Sequence, residues 1–252
     1  MANVAPAAVR FLEYTAFRKK GLKARHVGNP NGMKTKYTQI LKILVIATSF
    51  GGVALGLLMA WEEGYSEAWR RLLYFTAQSN LWLGITLFLS LFRFARATSR
   101  RVALFSLLQY VFTVSILLTG LVFCLILAPY APPDYSPWTA SNLLTHACTP
   151  VLALFLYAFS PRHFQFNPKT VCVTLLPPLF YLGFVAVLTH FAVEFGRGRP
   201  APYFFMDFRS PRAIFGLSGT PPQAVGSFYW IVLLCLIVLL LAELLARYPK
   251  RQ

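Results

Sequence analysis

The segment YFTAQSN, residues 74–80, sets Thr76, Gln78, Ser79 and Asn80 in an otherwise apolar run, and LLTHACTP, residues 143–150, sets His146 in a second one. A threonine hydroxyl is a weak nucleophile until a base takes its proton, and a neutral imidazole at hydrogen-bonding distance can do so. With Thr76 as nucleophile and His146 as base, the chemistry is acyl transfer: an ester acylates the threonine, and water activated by the same imidazole releases the acid. Such a site also needs an N–H donor for the oxyanion, for which Gln78, Asn80 and Asn142 are candidates. Asp207 or Glu194 could orient the imidazole. A second imidazole, His190 in VLTHFAVEF, and the phenol of Tyr203 complete the set.

The elements that must hold these groups follow from composition. The chain is 57% hydrophobic, 16% aromatic and 13% charged, against about 45–50% apolar and about 25% charged in soluble domains. Apolar runs recur at about 40–61, 72–92, 102–127, 140–159, 171–193 and 224–246. Each is near the roughly 20 residues that a helix needs to cross a bilayer. Continuous rather than alternating runs favour helices over a barrel. The expected fold is an all-α polytopic membrane protein of six transmembrane helices. A basic tail, 1–39, precedes the six-helix domain, 40–246, and a short tail, 247–252, follows it.

The net charge of +16 is distributed by topology. Seventeen Lys and Arg fall in the N-terminal tail, the second and fourth connections and the C-terminal tail, and six fall in the first, third and fifth connections. That asymmetry is the positive-inside pattern, which places both termini in the cytoplasm and, in a bacterium, the chain in the inner membrane. No nucleic-acid role is expected from it. The N-terminal segment RFLEYTAFRKKGLKARH reads either as a solvated basic tail that orients the first span or as an interfacial helix held by anionic lipid. No cleavable signal precedes it, because the first apolar run starts only near residue 40.

Given that topology, the second and fourth spans enter from the same side, and depth can be read along each at 1.5 Å per residue. Thr76 and His146 then lie roughly 6 and 9 Å in, and His190 lies roughly 5 Å from the same surface. Polar groups from three spans converge there, which in a membrane is a functional hypothesis by default. The bland alternatives are a threonine bonded back to the Leu72 carbonyl and a histidine that merely bridges helices. Pro150, four residues after His146, has no amide proton to give to the His146 carbonyl, so the helix should kink and open space beside the imidazole. Pro177 and Pro178 should act similarly, as structural features, in the fifth span. The fifth connection, about 194–223, is long and aromatic, and PAPYFFMDF suits an element dipping back between the helices with Tyr203 and Asp207 turned towards the cluster. As an interfacial loop, its aromatic residues would instead form a belt.

No nucleotide, dinucleotide or zinc motif and no Gly-x-Ser-x-Gly elbow is present. Cys124, Cys148, Cys172 and Cys235 are isolated within spans and read as small hydrophobes. Neither a metal nor another cofactor is called for, and the expected partners are membrane lipids and a lipid-like ester. Gly52 and Gly56 have the spacing of a helix-packing device.

The order and spacing of YFTAQSN, LLTHACTP and PYFFMD resemble the pattern of the bacterial six-span Pr-six-Pr integral membrane family, over about residues 72–207. More loosely, the chain is similar to the androgen-induced-protein family of six-span hydrolases, which cleave fatty acid esters of hydroxy fatty acids. That family has a nucleophilic Thr in the second span and a His in the fourth, and by span Thr76 and His146 are the matches. The resemblance implies an intramembrane ester hydrolase. The other reading is a non-catalytic six-span protein, a small transporter or lipid-binding scaffold, whose polar cavity binds a ligand or holds helices together.

Overall fold

The computed structural model describes residues 30–93, 98–131, 136–209, 214–217 and 225–248. The N-terminal segment read as a solvated tail or interfacial helix, and the last four residues, lie outside them. Every contact below lies within one compact unit that begins at Leu41.

The described residues are helical with no strands. Helix α1 (Pro30–Glu62) leads through a short α2 (Tyr65–Arg71) to α3 (Phe75–Arg93) and α4 (Ser99–Val122). The fourth span consists of α5 (Ala140–Leu143), a wide π turn (Leu144–Cys148) and α6 (Thr149–Phe159). The fifth consists of α7 (Pro168–Cys172), a 3-10 turn (Val173–Leu175) and α8 (Leu176–His190), and the sixth is α9 (Ser227–Arg247). Six stretches are long and apolar enough to cross a membrane: Lys36–Glu62, Phe75–Phe92, Ser99–Tyr130, Ala140–Phe159, Pro168–His190 and Ser227–Arg247. This is the architecture of a multi-pass integral membrane protein.

Helix α4 is the hub. Half of its membrane-crossing window is buried within the protein, as is half of α3, against 17% for α9. Tyr110, Val114 and Leu118 on α4 pack with Tyr157, Tyr181, Val185, Val238 and Ala242 from the fourth, fifth and sixth spans. A smaller cluster joins Val45, Leu83, Leu87, Ile116, Ala153 and Leu156. The exposed Leu, Val and Phe of α8 and α9, such as Phe180, Val187, Leu236 and Leu240, form the surface that a bilayer would cover.

Polar side chains tie the spans together where apolar contact alone gives no preference between helix and lipid. Arg162 donates to the carbonyls of Ala246 and Tyr248 at the end of α9, closing orphan acceptors of that helix. Gly52 and Gly56 do bring α1 against the fourth span. The Ser141 hydroxyl donates to the Gly52 carbonyl at 2.8 Å, and a Cβ on Gly52 would come within 2.6 Å of the Thr145 methyl.

Proline reshapes two spans. Pro177 lies at the start of α8, where the helix restarts after its 3-10 turn. Pro150 is met differently from a simple kink: the amide of Thr149 bonds the carbonyl of Leu144, five residues back, so the helix widens by one residue around His146. A second π turn, Phe123–Leu127, ends α4 beside it.

Candidate active site

Two helix irregularities and one helix start build the site. Helix α3 begins at Phe75, so Thr76 occupies its first turn. The Leu72 carbonyl lies before the helix, where it accepts from the Gln78 side chain instead of from Thr76. Thr76 therefore does not bond back within its own helix. Its Oγ1 lies 3.1 Å from His146 Nε2.

The imidazole is held on three sides. Its Nδ1 is 3.1 Å from the Asn142 carbonyl oxygen, which can only accept, so Nδ1 carries the proton and donates. The Thr145 hydroxyl, donating to the Ser141 carbonyl at 2.9 Å, takes a second share of that proton at 3.0 Å. With Nδ1 protonated on a neutral ring, Nε2 is an acceptor, and the Thr76 O–H donates to it. The Phe123 ring stacks on the imidazole with centroids 3.9 Å apart and planes at 26°. The two π turns thus face each other through Phe123 and His146, and both residues are buried.

Below the pair, Asn80 is fully buried and donates to the Thr76 carbonyl at 2.8 Å and to the Thr145 carbonyl at 3.4 Å. It ties Thr76 to the residue before His146 and lines neither open space. Ser79 and Thr119 lie 3.1 Å apart and join α3 to α4. The first helical bond of α3 runs from the Gln78 amide to the Tyr74 carbonyl at 3.2 Å. Among the described residues, the amides of Phe75, Thr76 and Ala77 have no backbone carbonyl partner, as at any helix N-terminus.

The fifth connection folds back over this end. Phe205 and Met206, in a 3-10 turn (Phe204–Met206), are buried in the core. The Tyr203 ring stacks on Phe205 and meets Tyr74 edge-on at 5.9 Å. Its phenol lies beside the Thr76 hydroxyl and the backbone of Phe75 and Thr76, and burial pushes it up to about 12, so it stays protonated at neutral pH. The connection is clamped to the first one by Tyr74 donating to the Phe195 carbonyl at 2.9 Å, and by Arg70 between Glu67 at 2.6 Å and Glu194 at 3.3 Å.

Thr76, His146, Asn142 and Tyr203 line a cavity of about 730 Å³ at the end of the bundle where the first, third and fifth connections lie. Arg71, Arg197 and Arg199 stand around it. Thr76, His146 and Tyr203 also line a second, much smaller space of about 70 Å³ whose remaining walls are almost wholly apolar.

Several expectations need correction. Gln78 lies outside both cavities, because two residues along a helix rotate the side chain by about 200° from Thr76. The Asn142 side chain donates to the Pro137 carbonyl at 2.9 Å, and it is the backbone carbonyl that meets the imidazole. His190 is exposed at the end of α8, its ring against Phe191. Asp207 accepts from the Arg209 amide at 3.2 Å, and Glu194 pairs with Arg70, so neither carboxylate orients His146. Phe123 and Thr145 were not anticipated, and neither type nor spacing distinguishes them from ordinary span residues. Among the described residues no group of His, Cys, Asp and Glu could hold a metal ion. No family model matches the chain, and no match was found among the curated proteins or the solved structures compared with it.

Proposed function

We propose that this chain is an intramembrane hydrolase of lipid-like carboxylic esters, of the fatty acid ester of hydroxy fatty acid type, with Thr76 as nucleophile and His146 as base. The observation that carries the reading is the 3.1 Å approach of Thr76 Oγ1 to an imidazole nitrogen whose other nitrogen is committed to donating. The looser similarity to six-span threonine hydrolases, which matches Thr76 and His146 by span, agrees with it. In the reaction, Oγ1 attacks the acyl carbon while Nε2 takes the hydroxyl proton. The amide of Ala77, which lines the cavity, is the nearest backbone donor after the nucleophile and replaces the side-chain amides as the candidate for the oxyanion. The positive end of α3 favours the same charge. Collapse of the tetrahedral intermediate breaks the ester C–O bond, and the alcohol leaves with the proton from the imidazolium. Water then attacks the acyl-threonine, gives its proton to Nε2, and releases the acid and the free hydroxyl.

A fluorophosphonate probe, which phosphonylates activated hydroxyls with loss of fluoride, tests this directly. Mass spectrometry should place the adduct on Thr76, and His146→Ala should remove it. An adduct elsewhere, or none, would leave the second reading. That reading is a non-catalytic binder, and the size of the cavity with its three arginines favours it.

The basic asymmetry, seventeen to six, supports cytoplasmic termini and a cavity that opens to the outer face of the inner membrane. Single cysteines introduced into a cysteine-free variant at Lys19 and Arg197 should react with an impermeant maleimide in intact cells only at residue 197. Labelling at residue 19 would reverse the topology.

A further inference from the structure

The Thr76 hydroxyl stands at the boundary of two spaces, one partly polar and one almost wholly apolar. One is the open cavity, lined by Arg71, Arg197 and Arg199 and by Glu63 and Glu67. The other is the narrow space walled by Leu179 and Leu182 of α8, Ile231, Leu234 and Cys235 of α9, and Met206 of the fifth connection. The residues with polar side chains among its walls are Thr76, Thr119, His146, Tyr181 and Tyr203. Helices α8 and α9 each pack against α4 more than against one another, so a gap is left between them. Leu179 is 44% exposed and Leu234 half-buried, which puts the gap on the lipid-facing flank of the bundle.

We infer that the cleft between α8 and α9 is a lateral portal that holds the linear acyl chain of the substrate, with the alcohol portion in the open cavity. This assignment rests on the hydrolase reading and gives it a direction. A carbonyl carbon within reach of Thr76 has its hydrocarbon on one side and its ester oxygen on the other. Apolar walls suit only the hydrocarbon, because a polar group there would lose its hydrogen bonds to water. The alcohol portion, which must receive a proton and depart, faces the polar cavity. A chain lying between two spans can continue into the bilayer, so the portal sets no upper limit on acyl length.

The test is Leu234→Trp, which fills the cleft, with Leu182→Trp as an independent variant on the facing wall. Leu233→Trp is the control, a neighbouring residue 44% exposed on the same helix that does not line the cleft. For p-nitrophenyl esters in nanodiscs, each cleft variant should lower the ratio of kcat/KM for palmitoyl over acetyl by tenfold or more. The control should leave that ratio unchanged. Hydrolysis that persists with an unaltered ratio in both cleft variants overturns the portal but not the hydrolase. If wild-type protein cleaves no ester, the hydrolase fails, and a diazirine-bearing palmitoyl probe decides the portal separately. Cross-links on α8 and α9 that palmitate competes away, and that Leu234→Trp removes, uphold it. Cross-links indifferent to both overturn it.

Discussion

Thr76→Ala and His146→Ala are each expected to lower ester hydrolysis by about a thousandfold or more, with the protein still folded in the membrane. The double variant should be little worse than either single one, because the two side chains act on one proton. Thr76→Ser keeps the hydroxyl but removes the methyl that restricts its rotamer, so it should retain part of the activity. His190→Ala is the control for imidazole in general. Its ring lies outside both cavities, and turnover should stay within about threefold of wild type. Thermal unfolding separates a catalytic from a structural role. The Thr76 hydroxyl makes one bond to His146, worth about 1 kcal/mol between membrane helices. A loss above about 2 kcal/mol in Thr76→Ala with no esterase activity in the parent would make the pair a structural tie.

The pattern of apolar runs and basic connections was enough to read the six helices, since bilayer thickness and unsatisfied backbone groups leave few other solutions. What it could not show was where a helix begins inside an apolar run. Leu72, Leu73 and Tyr74 are as apolar as the residues after them, yet the helix starts only at Phe75. That offset puts Thr76 in the first turn, beside amides that meet no backbone carbonyl among the described residues, instead of back-bonded in mid-helix. Position along a span was legible and direction around it was not. His190 ends its helix but is exposed, and Asp207 accepts from the Arg209 amide. Direction was hardest to read at His146, because a π turn rotates everything beyond it relative to an ideal helix. Pro150 announced an irregularity there without fixing its kind. The group that orients the imidazole was equally hidden, since it is a backbone carbonyl, that of Asn142, where a sequence reading looks for a carboxylate.

The same π turn leads to the second large effect, at a residue that lines neither cavity. Gly120 on α4 lies against the His146 carbonyl, and a Cβ there would be 2.9 Å from that oxygen and 3.0 Å from Pro150 Cγ. Both neighbours are backbone or ring atoms and cannot rotate aside. Gly120→Ala must therefore push the Leu144–Cys148 turn away from α4, or α4 away from it. Overpacking of this kind costs about 1–3 kcal/mol. The displaced turn carries the imidazole, and a misplacement of about 1 Å at a catalytic group can cost about a hundredfold in rate. Gly183→Ala on α8 is the matched control, since nothing lies within 4 Å of its Cβ position. It should leave the melting temperature unchanged or slightly raised, because alanine is the better helix former by about 1 kcal/mol. Fluorophosphonate labelling rates and thermal unfolding in nanodiscs would measure both variants. Gly120→Ala should label Thr76 at least about thirtyfold more slowly and unfold earlier. Wild-type behaviour in both assays would mean that close packing against α4 does not hold His146 in place.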